Sequence, residues 1–155
     1  MSHSLKKDIG NNSFQCLVCR HYCKLAPMQV GICGVRQNID NDLKLLVYGQ
    51  AISANVDPIE KKPLFHFLPG TEIFSFGTIG CNFGCEFCQN WDISQVSKTI
   101  KSKLLKSKHL EEMQAEIGLM GYEMSPKKIV EYTLKLNFWC LLSFCLLFCL
   151  KILCP

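Results

Sequence analysis

The chain has 155 residues, of which 48% are hydrophobic and 19% charged, and its formal net charge is +4 at pH 7. This length suits one domain, or one modest domain with a small module, and the charge is too small to indicate a nucleic-acid partner. Eleven cysteines are a high and odd number. The polar N-terminus contains no apolar signal region, so we expect a cytoplasmic protein whose clustered thiols bind metal rather than form disulfides.

The first part of the chain is polar and then rich in cysteine. We expect residues 1–13 to form a flexible start, and residues 14–70 to form a cysteine-rich module with a lead-in segment. Five metal-ligand candidates fall within 18 residues, namely Cys16, Cys19, His21, Cys23 and Cys33. The four thiols suffice for a closed zinc site or an iron–sulfur cluster, and His21 can replace one of them. Reduced thiols without a metal are the alternative.

Four segments before residue 80 have the character of strands or of an irregular connection. Residues 43–48 are apolar and β-prone, and residues 51–56 are their expected partner strand. Prolines 58, 63 and 69 rule out a long helix between residues 56 and 70. We expect an irregular segment there with Phe65 and Phe67 as anchors and His66 in a structural role. Residues 73–76 are predicted to form a short buried strand.

A cysteine triplet follows this strand directly. Residues 80–91 read GCNFGCEFCQNW and carry Cys81, Cys85 and Cys88 in a C-x3-C-x2-C pattern. Three thiols on a cubic iron–sulfur cluster leave one iron without a protein ligand, at which a substrate or cofactor can bind. A loop at the carboxyl end of a strand is where α/β sheets and barrels place their chemistry. The alternative is a structural zinc site completed by a ligand from the N-terminal module.

The next part of the chain is predicted to be mainly helical. Residues 97–109 carry five lysines, at positions 98, 101, 103, 106 and 108, which indicate a solvated helical or coil face. A surface for an anionic partner is the alternative. Residues 111–120 are predicted to form a helix, and a better one begins with Ser125 as the N-cap and Pro126 at the first helical position.

The composition changes abruptly near the C-terminus, and we treat residues 137–155 as a divergent apolar tail. The 13 residues FWCLLSFCLLFCL carry no charge and precede Lys151. A membrane-spanning helix needs about 20 apolar residues. A buried helix, a marginal membrane anchor and a sequence that was never selected to fold all remain open. The cysteines at positions 140, 145 and 149 are interpreted as small hydrophobic residues rather than metal ligands.

The triplet and its neighbouring sequences resemble the radical SAM superfamily. The resemblance is most specific to the radical SAM enzyme of the AmmeMemoRadiSam system, which is related to the pyruvate formate-lyase activating enzymes. It is carried by Cys81, Cys85 and Cys88, by Phe87 before the third cysteine, by the string VDPIEKKPLFHFLPG, and by the N-terminal C-x2-C-x-H-x-C and GICGVR. It extends from about Cys16 to about Leu136, and the chain departs from the family pattern at Asn137.

The resemblance implies an α/β fold and a cofactor. Residues 71–136 would begin a partial (β/α) barrel, preceded by the small cysteine-rich metal-binding module, and the barrel would be incomplete because its later strands are absent. Cys81, Cys85 and Cys88 would bind a [4Fe–4S] cluster whose open iron binds S-adenosylmethionine. Phe87, like Phe83, would shield the cluster or pack beside the adenine. Ordinary core packing is the alternative for both rings.

The resemblance also implies a reaction and partners. The reduced cluster would cleave S-adenosylmethionine to a 5′-deoxyadenosyl radical, which would take a hydrogen atom from a substrate. In activating-enzyme relatives that substrate is a backbone glycine of a partner protein, and an electron donor is the second partner. The N-terminal cysteines would hold zinc or a second iron–sulfur cluster. Because the chain looks truncated, a non-catalytic iron–sulfur or zinc-binding fragment is the alternative function.

Overall fold

The computed structural model describes residues 5–62, 64–135 and 141–143. These residues form short strands and helices. In chain order they are β1 Lys6–Gly10, β2 Ser13–Cys16, β3 Lys24–Leu25, β4 Arg36–Ile39, β5 Asp42–Leu45, β6 Gln50–Ala51, β7 Ser53–Pro58, β8 Glu72–Gly77, α1 Trp91–Ser94, α2 Val96–Ser107, α3 Met113–Gly118, β9 Tyr122–Glu123, α4 Pro126–Lys135 and β10 Leu141–Ser143.

The N-terminal residues form an ordered three-stranded sheet. Strands β1, β2 and β3 pair antiparallel in this order. Asn11 and Asn12 take left-handed conformations with φ of 52° and 54°, which favour a tight hairpin turn because they match the twist of the two strands. The amine of Lys6 donates to the Asp42 carboxylate at 2.9 Å. The expectation of a flexible start is therefore wrong from residue 6 onward.

A second hairpin replaces the strand pairing that we predicted for residues 43–48. Strand β5 pairs antiparallel with β4, across a turn in which Asp40 and Asn41 have φ of 52° and 57°. Residues 46–49 then turn away, and β7 pairs with β8 instead. The predicted pairing of 43–48 with 51–56 is wrong because the Asp-Asn turn already closes β5 against the strand before it.

The sheet that precedes the cysteine triplet is mixed. Strand β8 lies between β7, which is antiparallel to it, and β10, which is parallel. The predicted strand 73–76 is confirmed, and Ile73 and Phe74 on it are 0% and 5% exposed. β10 lies in the apolar tail, where the sequence predicts no further strand. The connection between these two parallel strands carries the triplet and all four described helices.

The main core is built between the segment that contains β4 and β5 and helices α2 and α3. Ile100 and Leu104 lie one turn apart on α2 and pack in the same cluster as Val35, Ile79 and Ile117. The helices predicted at 111–120 and from Ser125 are confirmed as α3 and α4. No helix within the described residues is long and apolar enough to cross a membrane. The membrane-anchor hypothesis for the tail concerns residues that lie mostly outside the described ranges.

The proline-rich connection between β7 and β8 is irregular, as predicted, but its anchors differ from those expected. Phe65 and Phe67 are 59% and 50% exposed, and His66 is exposed as well. The buried groups are Ile59 and an ion pair in which Lys62 donates to Asp57 at 2.8 Å. Their side chains are only 2% and 11% exposed. The phenylalanine anchors are wrong because Ile59 and this pair occupy the buried side of the segment.

The ion pair at Asp57 gives the first prediction. The amines of Lys61 and Lys62 hold the pKa of Asp57 below its usual value. Replacing Asp57 by Asn removes the carboxylate that faces the buried Lys62 amine, and we expect the free energy of unfolding to fall by roughly 3 kcal/mol. Urea denaturation followed by circular dichroism measures this. The matched control Lys61→Gln removes a partner whose side chain is 65% exposed, and we expect a change of about 0–1 kcal/mol.

The Asp57–Lys62 ion pair also makes the free energy of unfolding depend on pH. A carboxyl whose pKa is lowered in the folded state contributes its full stability above the unfolded-state pKa of about 3.9, and this stability is lost as the pH falls from there through the lowered folded-state pKa. The Asp57→Asn variant should therefore approach the wild-type protein in stability at low pH. An Asp57→Asn variant as stable as the wild-type protein at pH 7 contradicts the role of the pair.

Candidate cysteine-loop site

The triplet lies on a loop of residues 78–90, here called the triplet loop, which joins β8 to α1. Cys81, Cys85 and Cys88 are free thiols and are partly exposed. The backbone N–H of Cys88 donates to the Cys85 carbonyl at 3.3 Å, so the second and third cysteines share one turn. The N–H of Phe83 donates to Cys81 Sγ at 3.4 Å. Backbone N–H donors to cysteine sulfur are typical of the ligands of iron–sulfur clusters.

The triplet loop rests on the N-terminal cysteine segment, defined here as residues 16–35. Gly80 has φ of +99°, and a Cβ on it would lie 2.5 Å from Val35 Cγ1 and 3.1 Å from the Cys33 carbonyl oxygen. His21 Nε2 lies 2.8 Å from the Asn82 carbonyl oxygen. Because a carbonyl only accepts hydrogen bonds, Nε2 is the donor, which makes Nδ1 the ring nitrogen that can bind a metal. The two cysteine regions therefore touch at two separate points.

Helix α2 and the residue before it bind both regions. The buried Ser97 hydroxyl donates to the Cys33 carbonyl at 3.0 Å, and the Lys101 amine donates to the Gly31 carbonyl at 3.1 Å. The Gln95 amide donates to the Phe83 carbonyl at 3.1 Å, and the Lys98 amine donates to the same oxygen. One helix thus fixes the position of the triplet loop relative to the N-terminal cysteines.

Sequence reasoning missed these residues. The lysines of α2 were interpreted as a solvated face, and this interpretation is wrong for Lys98 and Lys101 because both bind backbone carbonyls of the cysteine regions. It holds for the exposed lysines 103, 106 and 108. The available signal was spacing, since residues 97, 98 and 101 of α2 recur at the intervals that share one helical face.

The N-terminal thiols differ in burial. Cys16 and Cys33 are 6% and 8% exposed, and Cys19 and Cys23 are partly exposed. Burial raises the pKa of the Cys16 thiol. A Cβ on Gly31 would lie 3.7 Å from the sulfurs of both Cys23 and Cys33, so the glycine keeps the space beside these two sulfurs clear. The N–H of residue 32 donates to Cys23 Sγ at 3.5 Å. These two features suit metal ligation, whereas the buried Cys16 resembles an ordinary core thiol.

The cysteine thiols have the chemistry that an iron–sulfur cluster requires. The described thiols do not converge on one point as the ligands of a single metal ion would. Among residues 5–62 and 64–135, no three His, Cys, Asp or Glu side chains gather closely enough to hold one metal ion. Cysteine thiolates are the usual ligands of iron–sulfur clusters and also bind zinc.

The aromatic rings of the triplet loop are not core residues. Phe87 is 87% exposed and Phe83 is 49% exposed. The alternative that Phe87 packs in the core is therefore wrong. Its suggested contact with a cofactor stays a prediction, and an exposed ring beside the third cysteine has surface available for such a contact.

Comparison with known proteins gives relatives of unknown activity. The uncharacterised protein MJ0808 of Methanocaldococcus jannaschii is 37% identical over 129 residues, which cover 83% of this chain and 33% of the relative. The uncharacterised protein MJ0674 of the same organism is 30% identical over 135 residues, which cover 79% of this chain and 35% of that relative. The chain thus spans about a third of the length of these curated relatives. No family model and no solved structure matches the chain.

The two glycines of the triplet loop give a matched pair of variants. Gly80 has a positive φ and no room for a Cβ, whereas Gly84 has nothing within 4 Å of that position. We expect Gly80→Ala to lower the free energy of unfolding by about 2–4 kcal/mol, through backbone strain and the clash with Val35. Gly84→Ala should change it by less than about 0.5 kcal/mol. Equal effects of the two substitutions in chemical denaturation contradict the described packing of the loop.

Proposed function

We propose that this chain is the N-terminal part of a radical SAM enzyme of the activating-enzyme type. In this proposal Cys81, Cys85 and Cys88 hold a [4Fe–4S] cluster whose open iron binds S-adenosylmethionine. The observation that carries it is the triplet loop itself, with three reduced and partly exposed thiols directly after a buried strand. The N–H donor at Cys81 Sγ and the hydroxyl 3.3 Å from Cys88 Sγ support it, because hydrogen bonds to sulfur accompany thiolate ligands of clusters.

Residues in the triplet loop and beside it would have separate roles in holding the cofactors. When bound, the cluster supplies one electron to the sulfonium of S-adenosylmethionine, and the resulting 5′-deoxyadenosyl radical abstracts hydrogen from a substrate. Gln95 and Lys98 hold the loop backbone at the Phe83 carbonyl, which preorganises the three thiols. Phe87 would lie against the bound cofactor. The protein substrate and the electron donor belong to the same proposal.

We also propose a second metal site in the N-terminal cysteine segment. Its ligands would come from Cys16, Cys19, Cys23, Cys33 and His21, with zinc favoured over a second iron–sulfur cluster. The cleared space at Gly31 and the N–H bond to Cys23 support it. His21 donates through Nε2 to a backbone carbonyl, and metal-bound histidines commonly make such a bond with the nitrogen that does not bind metal. Nδ1 would therefore be the ligating atom.

A non-catalytic iron–sulfur or zinc-binding fragment is the second candidate function. The chain spans about a third of its curated relatives, and the sheet around β8 has three strands among the described residues, which do not close a barrel. A site with few surrounding elements is poorly preorganised for catalysis. This candidate predicts a bound cluster whose spectrum is unchanged by S-adenosylmethionine.

Anaerobic reconstitution with iron and sulfide tests the cluster. We expect about four irons at the triplet, with charge-transfer absorbance, and release of 5′-deoxyadenosine when dithionite and S-adenosylmethionine are added. The variant Cys81→Ala/Cys85→Ala/Cys88→Ala should lose the cluster. The matched control Cys140→Ser/Cys145→Ser/Cys149→Ser removes as many thiols outside the motif and should keep it. Equal iron in the two variants contradicts the assignment, and a cluster without nucleoside release supports the non-catalytic candidate.

Metal analysis tests the N-terminal site separately. In the Cys81→Ala/Cys85→Ala/Cys88→Ala background, which removes the triplet ligands, we expect about one zinc per chain. Adding Cys19→Ser and Cys23→Ser should abolish binding, and adding His21→Ala should weaken zinc affinity by at least about tenfold. Elemental mass spectrometry and competition with a chromophoric chelator measure the two effects. A background protein that is isolated without metal and binds none on titration refutes this site.

A further inference from the structure

Ser94 is the last residue of α1, and its side chain lies next to the third cysteine. Its Oγ is 3.3 Å from Cys88 Sγ, and the residue is only 9% exposed. The neighbouring Gln95 is 6% exposed, and its side-chain amide donates to Ser94 Oγ at 3.0 Å. A buried hydroxyl is therefore placed between an amide and a sulfur that is the proposed ligand of a metal cluster.

The direction of these bonds follows from the chemistry of the groups. A side-chain amide nitrogen only donates. Gln95 Nε2 also donates to the Phe83 carbonyl, at 3.1 Å, and because a carbonyl only accepts, this bond fixes which end of the amide is the nitrogen. The Ser94 oxygen is thus already an acceptor, and its hydrogen is available for one more bond. A cysteine that binds iron has lost its proton and only accepts, so the hydroxyl must then donate to Cys88.

We propose that Ser94 is a positioning residue of the cluster, which donates a hydrogen bond to the Cys88 thiolate and thereby raises the reduction potential. The inference rests on the proposed function, because it requires that Cys81, Cys85 and Cys88 hold an iron–sulfur cluster. A hydrogen bond to a ligand sulfur stabilises the more negative, reduced state of the cluster. Burial of the hydroxyl strengthens the bond, since few water molecules compete for Ser94 Oγ.

Gln95 supports the Ser94–Cys88 hydrogen bond through its own bond to Ser94. It joins the Phe83 carbonyl, which lies between the first two cysteines, to the hydroxyl at the third cysteine. The chain of bonds from Phe83 through Gln95 and Ser94 to Cys88 therefore spans the triplet. Because Gln95 donates to Ser94 Oγ, the serine oxygen is held beside Cys88 before a cluster binds.

Redox titration of the reconstituted protein tests the inference. We expect Ser94→Ala to bind the same amount of iron as the wild-type protein, with a midpoint potential shifted to more negative values. Ser94→Thr keeps the hydroxyl and should restore a potential close to that of the wild-type protein. Ser107→Ala is the matched control, because the hydroxyl of Ser107 bonds only to carbonyls at the far end of α2. Its potential should equal that of the wild-type protein.

The outcomes separate this inference from the proposed function. A wild-type protein that takes up no cluster overturns both. A wild-type cluster with the same midpoint potential in Ser94→Ala overturns the inference alone. If Ser94→Ala loses the cluster while Ser94→Thr retains it, the hydroxyl is needed to hold Cys88, which supports the positioning role. If both variants lose the cluster yet keep the wild-type circular dichroism spectrum, the site depends on the shape of serine and not on its hydrogen bond, and the inference fails.

Discussion

The close approach of Ser97 to the Cys33–Gly34 peptide is the contact on which the arrangement of the site depends. The Ser97 hydroxyl is fully buried and donates to the Cys33 carbonyl. A Cβ on Gly34 would lie 2.7 Å from Ser97 Oγ, and Gly34 has φ of +73°. Only glycine can adopt this positive φ and also leave room for the Ser97 side chain without strain. Because α2 is seated on the N-terminal cysteine segment in this way, its neighbouring residues come within reach of the triplet loop.

Helix α2 therefore supports both the N-terminal cysteine segment and the triplet loop. Contacts from α2 hold the carbonyls of Gly31 and Phe83, and His21 connects the N-terminal segment to Asn82. Each such bond contributes about 1 kcal/mol, so the loop positions depend on several bonds acting together. A metal that ordered one region would stabilise the other through the same contacts, and this effect is necessarily reciprocal.

The sequence alone predicted the parts of the molecule that depend on local patterns. The strand at 72–77 was predicted because glycine and proline bound its apolar run, and α4 because Ser125 and Pro126 begin it. The pairing of β5 was predicted wrongly, since the Asp40–Asn41 turn was overlooked. The three thiols of the triplet were found from their spacing. Ser94, Gln95, Lys98 and Lys101 were not, because their roles arise from contacts with residues up to 70 positions away.

Because α2 is synthesised after the N-terminal cysteine segment, the contacts between them can form only late in synthesis. Cys33 precedes its partner Ser97 by 64 residues, and Gly31 precedes Lys101 by 70. At 5–20 residues per second, the ribosome needs roughly 3–14 s to make that stretch. Throughout this interval the four N-terminal thiols exist without the helix that binds the Cys33 and Gly31 carbonyls. They must stay reduced until that helix has been made.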